Sequence, residues 1–457
     1  MITYQDFAAR RGEGIQVVRE IVEDYTATEL YRTALVADLY DRQKNKTINE
    51  YVKTIMTATG VAVTDVVSSN NKIASNFFAR LNVQRCAYSL GNGITIQKAG
   101  AKERLGEDFD EVLYAAAYHA LIHGVAYLFW NVDRAIHFPA TQFAPIWDED
   151  TGALAAGVRF WRLDADHPIT YVLYEPEGVS QWREAGNVVT QLSDRAPYRV
   201  HIATTRALGD TVVGSSGYDG RLPVVPLYGS RLRQSTLVGV REAIDSYDLI
   251  RSGFANDLSD CTQIYWIIKN AGGMSEEDLN RFRQRLLRHV AVVNSEDGGG
   301  LDAHTSEIPY EARCRYLDDL RNGIFEDFGA LDVKAISSAN QTATAIQAAY
   351  EPMDQAADDF EMQIITAVKQ ILAFTGPVDA ECCPTFKRSR VSDMSAQVDM
   401  VLAEAEYLDA RTVLQKLPNI TPDEVEAILA RRDEEDLRRH GGGTGTEEEE
   451  PDEPEDL

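Results

Sequence analysis

Between Leu237 and Phe328 the chain writes the same apolar rhythm twice, on either side of an insert that does not share it. Val240, Ile244, Tyr247, Ile250, Phe254, Leu258 and Cys261 recur at steps of three or four residues. That spacing puts one apolar stripe on an otherwise polar helix. About 25 residues at 1.5 Å each make a rod of about 37 Å. Gln263–Ile268 then reads as a β-type run, and the insert it opens closes near Pro309. Tyr310, Arg313, Leu317, Leu320, Ile324 and Phe328 return to helical spacing. Two rods holding a small head at arm's length is an unusual plan for an enzyme. It suits a protein that extends one module away from its body to meet a partner.

The rest of the chain predicts an α+β protein that is predominantly helical. Residues 1–58 read as helices, with Ile15, Val18, Ile21, Val22 and Tyr25 on one face and a second amphipathic segment over Leu30–Tyr40. Ser68–Asn71 offers cap chemistry for a helix carrying Ile73, Phe77, Phe78, Leu81 and Cys86, and Gly91-Asn-Gly93 offers the left-handed stop. Glu107–Ile122 is another helix. From Gly124 the rhythm changes to strands at Val125–Trp130, Ala135–Phe138, Phe143–Trp147, Ala155–Leu163, Ile169–Leu173, Val188–Leu192 and Tyr198–Ile202. Residues 124–227 therefore predict a mostly antiparallel β region. Ala343–Leu372 carries a long helical stripe interrupted by Pro352, so a kink or break is expected near Glu351. Helices over Met394–Lys416 and Pro422–His440 follow, and 441–457 reads as a disordered acidic tail.

Charge narrows the function. The net charge is −27. Eight acids lie in Glu447–Leu457, and the remaining 64 acids against 45 bases still leave −19 on the body. Sequence-reading nucleic-acid binders normally carry a basic footprint, so such a role is disfavoured, although a surface that DNA passes without sticking is not. Five scattered cysteines (Cys86, Cys261, Cys314, Cys382, Cys383) without a C-x-x-C pair suggest free thiols in a reducing compartment. No signal-like or spanning apolar run occurs, so a soluble, cytoplasmically made chain without membrane association is expected.

Catalytic patterns are weak. His119 and His123 share a helix face, but Ala120 stands where the metalloprotease motif needs Glu, and no third ligand is identifiable. A packing role is the better reading, and no catalytic residue, metal or cofactor is expected. Gly298–Gly300 and Gly441–Gly443 lack the following Lys-Ser or Lys-Thr of a phosphate loop. Arg281, Arg283, Arg285 and Arg288 form a basic cluster in the insert, on a helix predicted over Ser275–His289. Either they form a solvated face balancing Glu276, Glu277 and Asp278, or they dock an acidic partner or phosphate backbone. Gly329–Thr342 loses all apolar rhythm and gathers Lys334, Ser337, Ser338, Asn340, Gln341 and Thr342. It reads as a linker, or as a polar loop that touches a polyanion weakly and lets go.

Taken in order, these pieces resemble a tailed-bacteriophage portal protein, from about residue 65 to 430. The carriers are Asn71–Phe78 leading to Tyr88-Ser-Leu-Gly91, Phe143–Trp147 with its Asp-Gly hairpin and Gly157–Trp161. Pro223–Tyr228 leading into Ile244–Tyr247 and Ser252–Asp257 adds to these, as does Ser338–Ile346. The resemblance implies a wing/stem/clip/crown architecture. Residues 1–236 with 344–384 would be the wing, its long helix and a link, 237–262 and 310–328 the stem, and 263–309 the clip. The tunnel loop would be 329–343 and the crown 385–440. It implies a homo-oligomeric ring, usually of twelve, at a capsid vertex of the virion, passing double-stranded DNA. The implied partners are the large terminase subunit, a head-completion adaptor, and the major capsid and scaffolding proteins. The Arg281–Arg288 helix would dock a partner, and Lys334–Thr342 would line the DNA channel. Stem residues Val240, Ile244, Ile250, Phe254, Leu258, Leu317, Leu320 and Ile324 would meet neighbouring subunits. An adaptor with a helical docking arm, and a metal-dependent hydrolase using His119 and His123, are the competing classes.

Overall fold

The N-terminal segments fold as their apolar spacing dictates, into α1 (Tyr4–Arg10), α2 (Ile15–Thr26), α3 (Glu29–Asp41) and α4 (Lys46–Glu50). Thr3 and Asp6 close a reciprocal capping box at the start of α1. The inward face of α2 is Val17, Val18, Ile21, Val22 and Tyr25. The description comes from a computed structural model covering residues 2–56, 60–66, 68–186, 188–203, 210–216, 218–260, 265–269, 275, 277, 280–281, 300–304, 309–334, 343–389, 401–403, 405, 407–417, 425 and 428–432. It comprises two units, Met1–Ser389 and Arg390–Leu457.

After α4 come the short strands β1 (Thr54–Met56) and β2 (Ala62–Thr64), paired antiparallel. Helix α5 (Phe77–Leu90) and strand β3 (Ile94–Ile96) lead to α6 (Phe109–His123). Ten strands follow: β4 (Val125–Asn131), β5 (Arg134–Pro139), β6 (Phe143–Trp147), β7 (Leu154–Trp161), β8 (Ile169–Glu175), β9 (Gly178–Ala185), β10 (Val188–Ala196), β11 (Tyr198–Ala203), β12 (Asp210–Ser216) and β13 (Val224–Tyr228). They build a five-stranded sheet ordered β10-β9-β8-β7-β6, a pair β11-β12 and a three-stranded sheet ordered β13-β4-β5. Every pairing is antiparallel. Helix α2 covers one face of the large sheet, burying Val18 and Ile21 with Ile146, Val158 and Leu173.

Helix α6 packs on the three-stranded sheet and supplies Leu113, Ala117 and Leu121 to the largest core. Full burial of such a leucine is worth about 1.5–3 kcal/mol. Gly124 ends α6 in the left-handed conformation (φ 90°). A Cβ there would also sit 2.8 Å from Cα of Gln234, so both backbone angle and close approach demand glycine.

Helix α7 (Arg241–Asp260), strands β14 (Tyr265–Lys269) and β15 (Gly300–His304), and helix α8 (Tyr310–Phe328) follow. Strands β14 and β15 pair antiparallel, from Tyr265 opposite His304 to Lys269 opposite Gly300. Helix α8 returns alongside α7, with Ile244 buried near Ile324 and Phe328 at one end and Arg313 paired to Asp257 at the other. Helix α9 (Ala343–Thr375) then lays Phe360, Ile364, Val368 and Ile371 into the main core. Strand β16 (Pro384–Phe386) pairs with β3. In the second unit, α10 (Ala410–Lys416) is capped by Asp409, which accepts from the Thr412 amide at 3.2 Å.

Several expectations need correction. Helix α7 starts at Arg241 rather than Leu237 and is described as far as Asp260. Ser68–Asn71 does not cap α5, which begins at Phe77 with Asn76 before it and no side-chain cap. Gly91 is right-handed at φ −60°, and Gly93 (φ 68°) carries the left-handed turn. The strands Thr54–Met56, Gly178–Ala185 and Asp210–Ser216 fall outside the expected set, the first of them inside 1–58, a stretch expected to be helical. Along Gly178–Ala185 the apolar Val179 and Trp182 stand three apart among polar residues, which hides the period of two. Helix α9 runs through Pro352 without a break. The expected helix Met394–Lys416 is interrupted, since Tyr407–Asp409 is non-helical before α10 starts. The segment 441–457 lies outside the described residues.

Candidate functional site

Helix α8 ends at Gly329, left-handed at φ 63°, and the described chain continues to Lys334. A Cβ on Gly329 would lie 3.3 Å from the Pro352 carbonyl oxygen, so α9 presses directly on this turn. Leu331 is buried with Tyr88, Tyr350, Met353 and Ala357. Two consecutive residues of α5 grip the departing backbone. Gln84 Nε2 donates to the Leu331 carbonyl at 3.0 Å, and the Arg85 guanidinium donates to the Phe328 carbonyl. Arg85 also lies 4.4 Å above the Phe328 ring. Burial pushes its pKa down to about 10, opposed by Asp359. Arg321 makes a forked pair with Asp332 at 2.6 and 2.7 Å, and Asp332 accepts from the Lys334 amide at 3.0 Å. The start of the polar loop is thus fixed by a cap, a core leucine, two side-chain grips and a bidentate ion pair.

Beside this base lies an open groove of about 620 Å³, lined among others by Asn76, Arg80, Arg321, Asp332 and Lys334. Arg80, Arg321 and Lys334 against one carboxylate make this a cationic spot on an acidic chain. Lys334 is exposed. Ser337, Ser338, Asn340, Gln341 and Thr342 lie outside the described residues.

Of the basic cluster in the insert, Arg281 is helical and exposed, with Glu277 one turn away at 3.9 Å. An ion pair this open contributes little. Arg283, Arg285 and Arg288 lie outside the described residues.

The stripe along α7 and α8 is divided. Val240, Ile244 and Ile324 are buried inside this chain with Tyr40, Phe78, Leu81 and Ile122, so they are not available to a neighbour. Their expected place at a subunit contact is therefore corrected to the chain's own core. Ile250, Phe254, Leu317 and Leu320 are half-buried, and Leu258 is exposed.

A second face of α7 is missing from the expectations. Asp248, Ser252 and Asn256 are all buried and accept backbone amides of the segment 71–75, which runs the other way. Ser75 donates to Asp248 at 2.9 Å, Ile73 to Ser252 at 3.0 Å and Asn71 to Asn256 at 2.5 Å. Four helical residues rise about 6 Å and two extended residues about 6.7 Å, so the two periods match closely enough for three rungs. The signal in the sequence is the i, i+4, i+8 run of short polar side chains beside the apolar stripe. Asn45 completes the base of this ladder by donating to Asp248 and to the Ser75 carbonyl.

His119 and His123 are packed side chains. His119 Nδ1 is 2.9 Å from the Ala115 carbonyl, and His123 Nε2 is 2.7 Å from Asp38. The His119 ring stacks on His137, centroids 5.2 Å apart. Burial, with neighbouring His119 and Arg159, lowers the His137 pKa to about 4. Among the described residues, no group of three or more His, Cys, Asp or Glu could hold a metal ion. Nor is any helix of theirs long and apolar enough to cross a membrane.

A family model described as "Phage portal protein, SPP1 Gp6-like" matches residues 29–437, and the chain belongs to that family. It is 22% identical to the portal protein of Bacillus phage SPP1 over 415 residues, covering 84% of this chain and 80% of that one. It is 30% identical to the portal protein of Clostridium phage phiCD119 over 214 residues, covering 45% of this chain and 46% of the relative, so that match spans about half of the relative's length. Among solved structures, the neck of a native GTA particle computed with C12 symmetry aligns with a TM-score of 0.41 at 12% identity. That alignment covers 75% of this chain and 89% of the other.

Proposed function

We propose that this chain is the portal subunit of a tailed phage. In this reading, copies form a ring at one capsid vertex through which double-stranded DNA enters and leaves. The family match over residues 29–437 carries the reading. Residues 237–262 and 310–328 act as the stem, 263–309 as the clip and 329–343 as the tunnel loop. Residues 1–236 and 344–384 serve as the wing and 385–440 as the crown. The protein is structural rather than enzymatic. Its net charge of −27 favours passage over capture, because a ring of like-charged copies repels phosphates along the channel. Lys334 and the polar residues after it supply weak, reversible contacts to the DNA backbone. Arg281, Arg283, Arg285 and Arg288 give the clip a basic surface for the terminase or the head-completion adaptor. Ile250, Phe254, Leu258, Leu317 and Leu320 remain the stem's subunit contacts.

Electron microscopy of the purified chain tests the reading. Rings with a central hole are expected, most often of twelve copies, and a uniform monomer under assembly conditions overturns it. Replacing Arg285 and Arg288 by Glu is expected to spare rings and impair packaging or adaptor attachment. Normal completed heads from that variant would remove the docking role.

A further inference from the structure

The hairpin formed by β1 and β2 stands apart from the sheets whose side chains are described. All six of its strand residues are exposed, and its sheet has only these two strands. Tyr51, Val52, Ile55, Met56, Val63 and Val66 are between 39% and 87% exposed, and none belongs to any of the four apolar cores. A two-stranded hairpin without a packed face is marginal in water, and a large apolar patch on a monomer marks an interaction surface. Its root, by contrast, is firmly held. The Asp65 amide bonds the Lys53 carbonyl at 2.8 Å, and Lys53 Nζ reaches the Ser69 carbonyl at 3.3 Å. Two residues beyond Ser69, the Asn71 amide is tied to Asn256 of α7. An exposed apolar hairpin is therefore presented at a fixed place beside the arm.

Charge selects the occupant. Residues 51–66 contain one Lys and one Asp in a chain of net charge −27. Two copies of so acidic a chain repel wherever carboxylates face each other, and they approach at least cost through a patch that has no net charge. The same patch lacks the cationic excess that nucleic acid or an anionic lipid surface would need. We propose that the β1–β2 hairpin docks on a second copy of this chain and is completed, as a sheet or as a packed face, only in the assembled ring. A contact between two different faces of one chain is the kind that closes rings. The inference rests on the portal reading.

The test replaces Ile55 by Lys and Val63 by Glu together. These residues are cross-strand partners, so the new pair of opposite charges supports the hairpin while removing its apolar face. The ring fraction in sedimentation velocity is expected to fall at least tenfold, with circular dichroism and monomer melting unchanged. Variant rings at wild-type yield overturn the proposal. Hydrogen exchange on the unaltered chain gives an independent measure. Amides of 54–56 and 62–64 should exchange at least tenfold more slowly in rings than in dissociated monomers. Equal rates, as expected if the hairpin serves another partner, overturn it as well. If the wild-type chain forms no ring at all, the portal reading fails and takes this inference with it. If wild-type and variant both form rings, only the hairpin assignment falls.

Discussion

The two ends of the α7–α8 pair carry the same apolar spacing and put it to different use. At the end nearest the sheets, Val240, Ile244, Ile324 and Phe328 close a core with α3, α5 and α6. At the far end, Phe254 meets Tyr310 with ring centroids 5.8 Å apart, Arg313 pairs with Asp257, and Leu258 stays in solvent. Period alone says that a helix has an apolar face. It does not say whose atoms cover that face. The near end is closed within one chain, whereas the far end keeps Leu258 exposed.

Four measurements test how deep this division goes. The largest effect is expected for Ile324→Ala, which empties a fully buried site and should cost about 2–5 kcal/mol in denaturant unfolding. Leu258→Ala should stay within about 0.5 kcal/mol in the same monomer assay. Equal losses at the two positions would erase the distinction. Next comes the ladder. Asp248→Ala removes the acceptor for Ser75 and Asn45 and should cost about 2–3 kcal/mol, against about 1 kcal/mol for Ser252→Ala. A neutral Asp248→Ala would mean that the segment 71–75 is held by other contacts. Third, Gly329→Ala forces a left-handed alanine against the Pro352 carbonyl and should cost about 1–2 kcal/mol. Proteolysis near 329–334 should rise with it, and unchanged cleavage would separate the loop base from α9.

The smallest effect concerns pH. His137 titrates near 4 in the fold and near its ordinary value of about 6.5 when unfolded. The unfolded chain therefore takes up the proton first on acidification. The neutral ring's contribution is complete above about pH 6.5 and is lost as pH falls towards 4. Because the ring is partly solvated, this amounts to roughly 1–2 kcal/mol rather than the full linkage value. His137→Gln should flatten that part of the stability–pH curve. An unchanged slope would place the acid sensitivity elsewhere, with His119 the first alternative, since burial lowers its pKa too.

Most helices and strands were legible because their apolar positions repeat at 3.6 or 2 residues and a single chain buries them. The family was legible from the order of elements. Other features were not, three of them instructive. Strand β9 spaces Val179 and Trp182 three apart among polar residues, a pattern that reads as loop until β8 and β10 flank it. The Asp248–Ser252–Asn256 ladder uses residues that normally signal a solvated helix face, and only the segment laid against them makes them buried. The grip of Gln84 and Arg85 on the polar loop joins positions about 245 residues apart in sequence, a pairing that no local pattern encodes.

The matched ladder has a mechanical consequence. Its three rungs lie side by side along α7, so a pull along the helix axis loads them in shear. All three must yield together. A pull at right angles, lifting the segment from Asn71, opens them one at a time like a peeled seam. The arm is therefore stiff against axial tension and comparatively yielding to sideways peeling, a directional strength set by the near-equality of 6 Å and 6.7 Å.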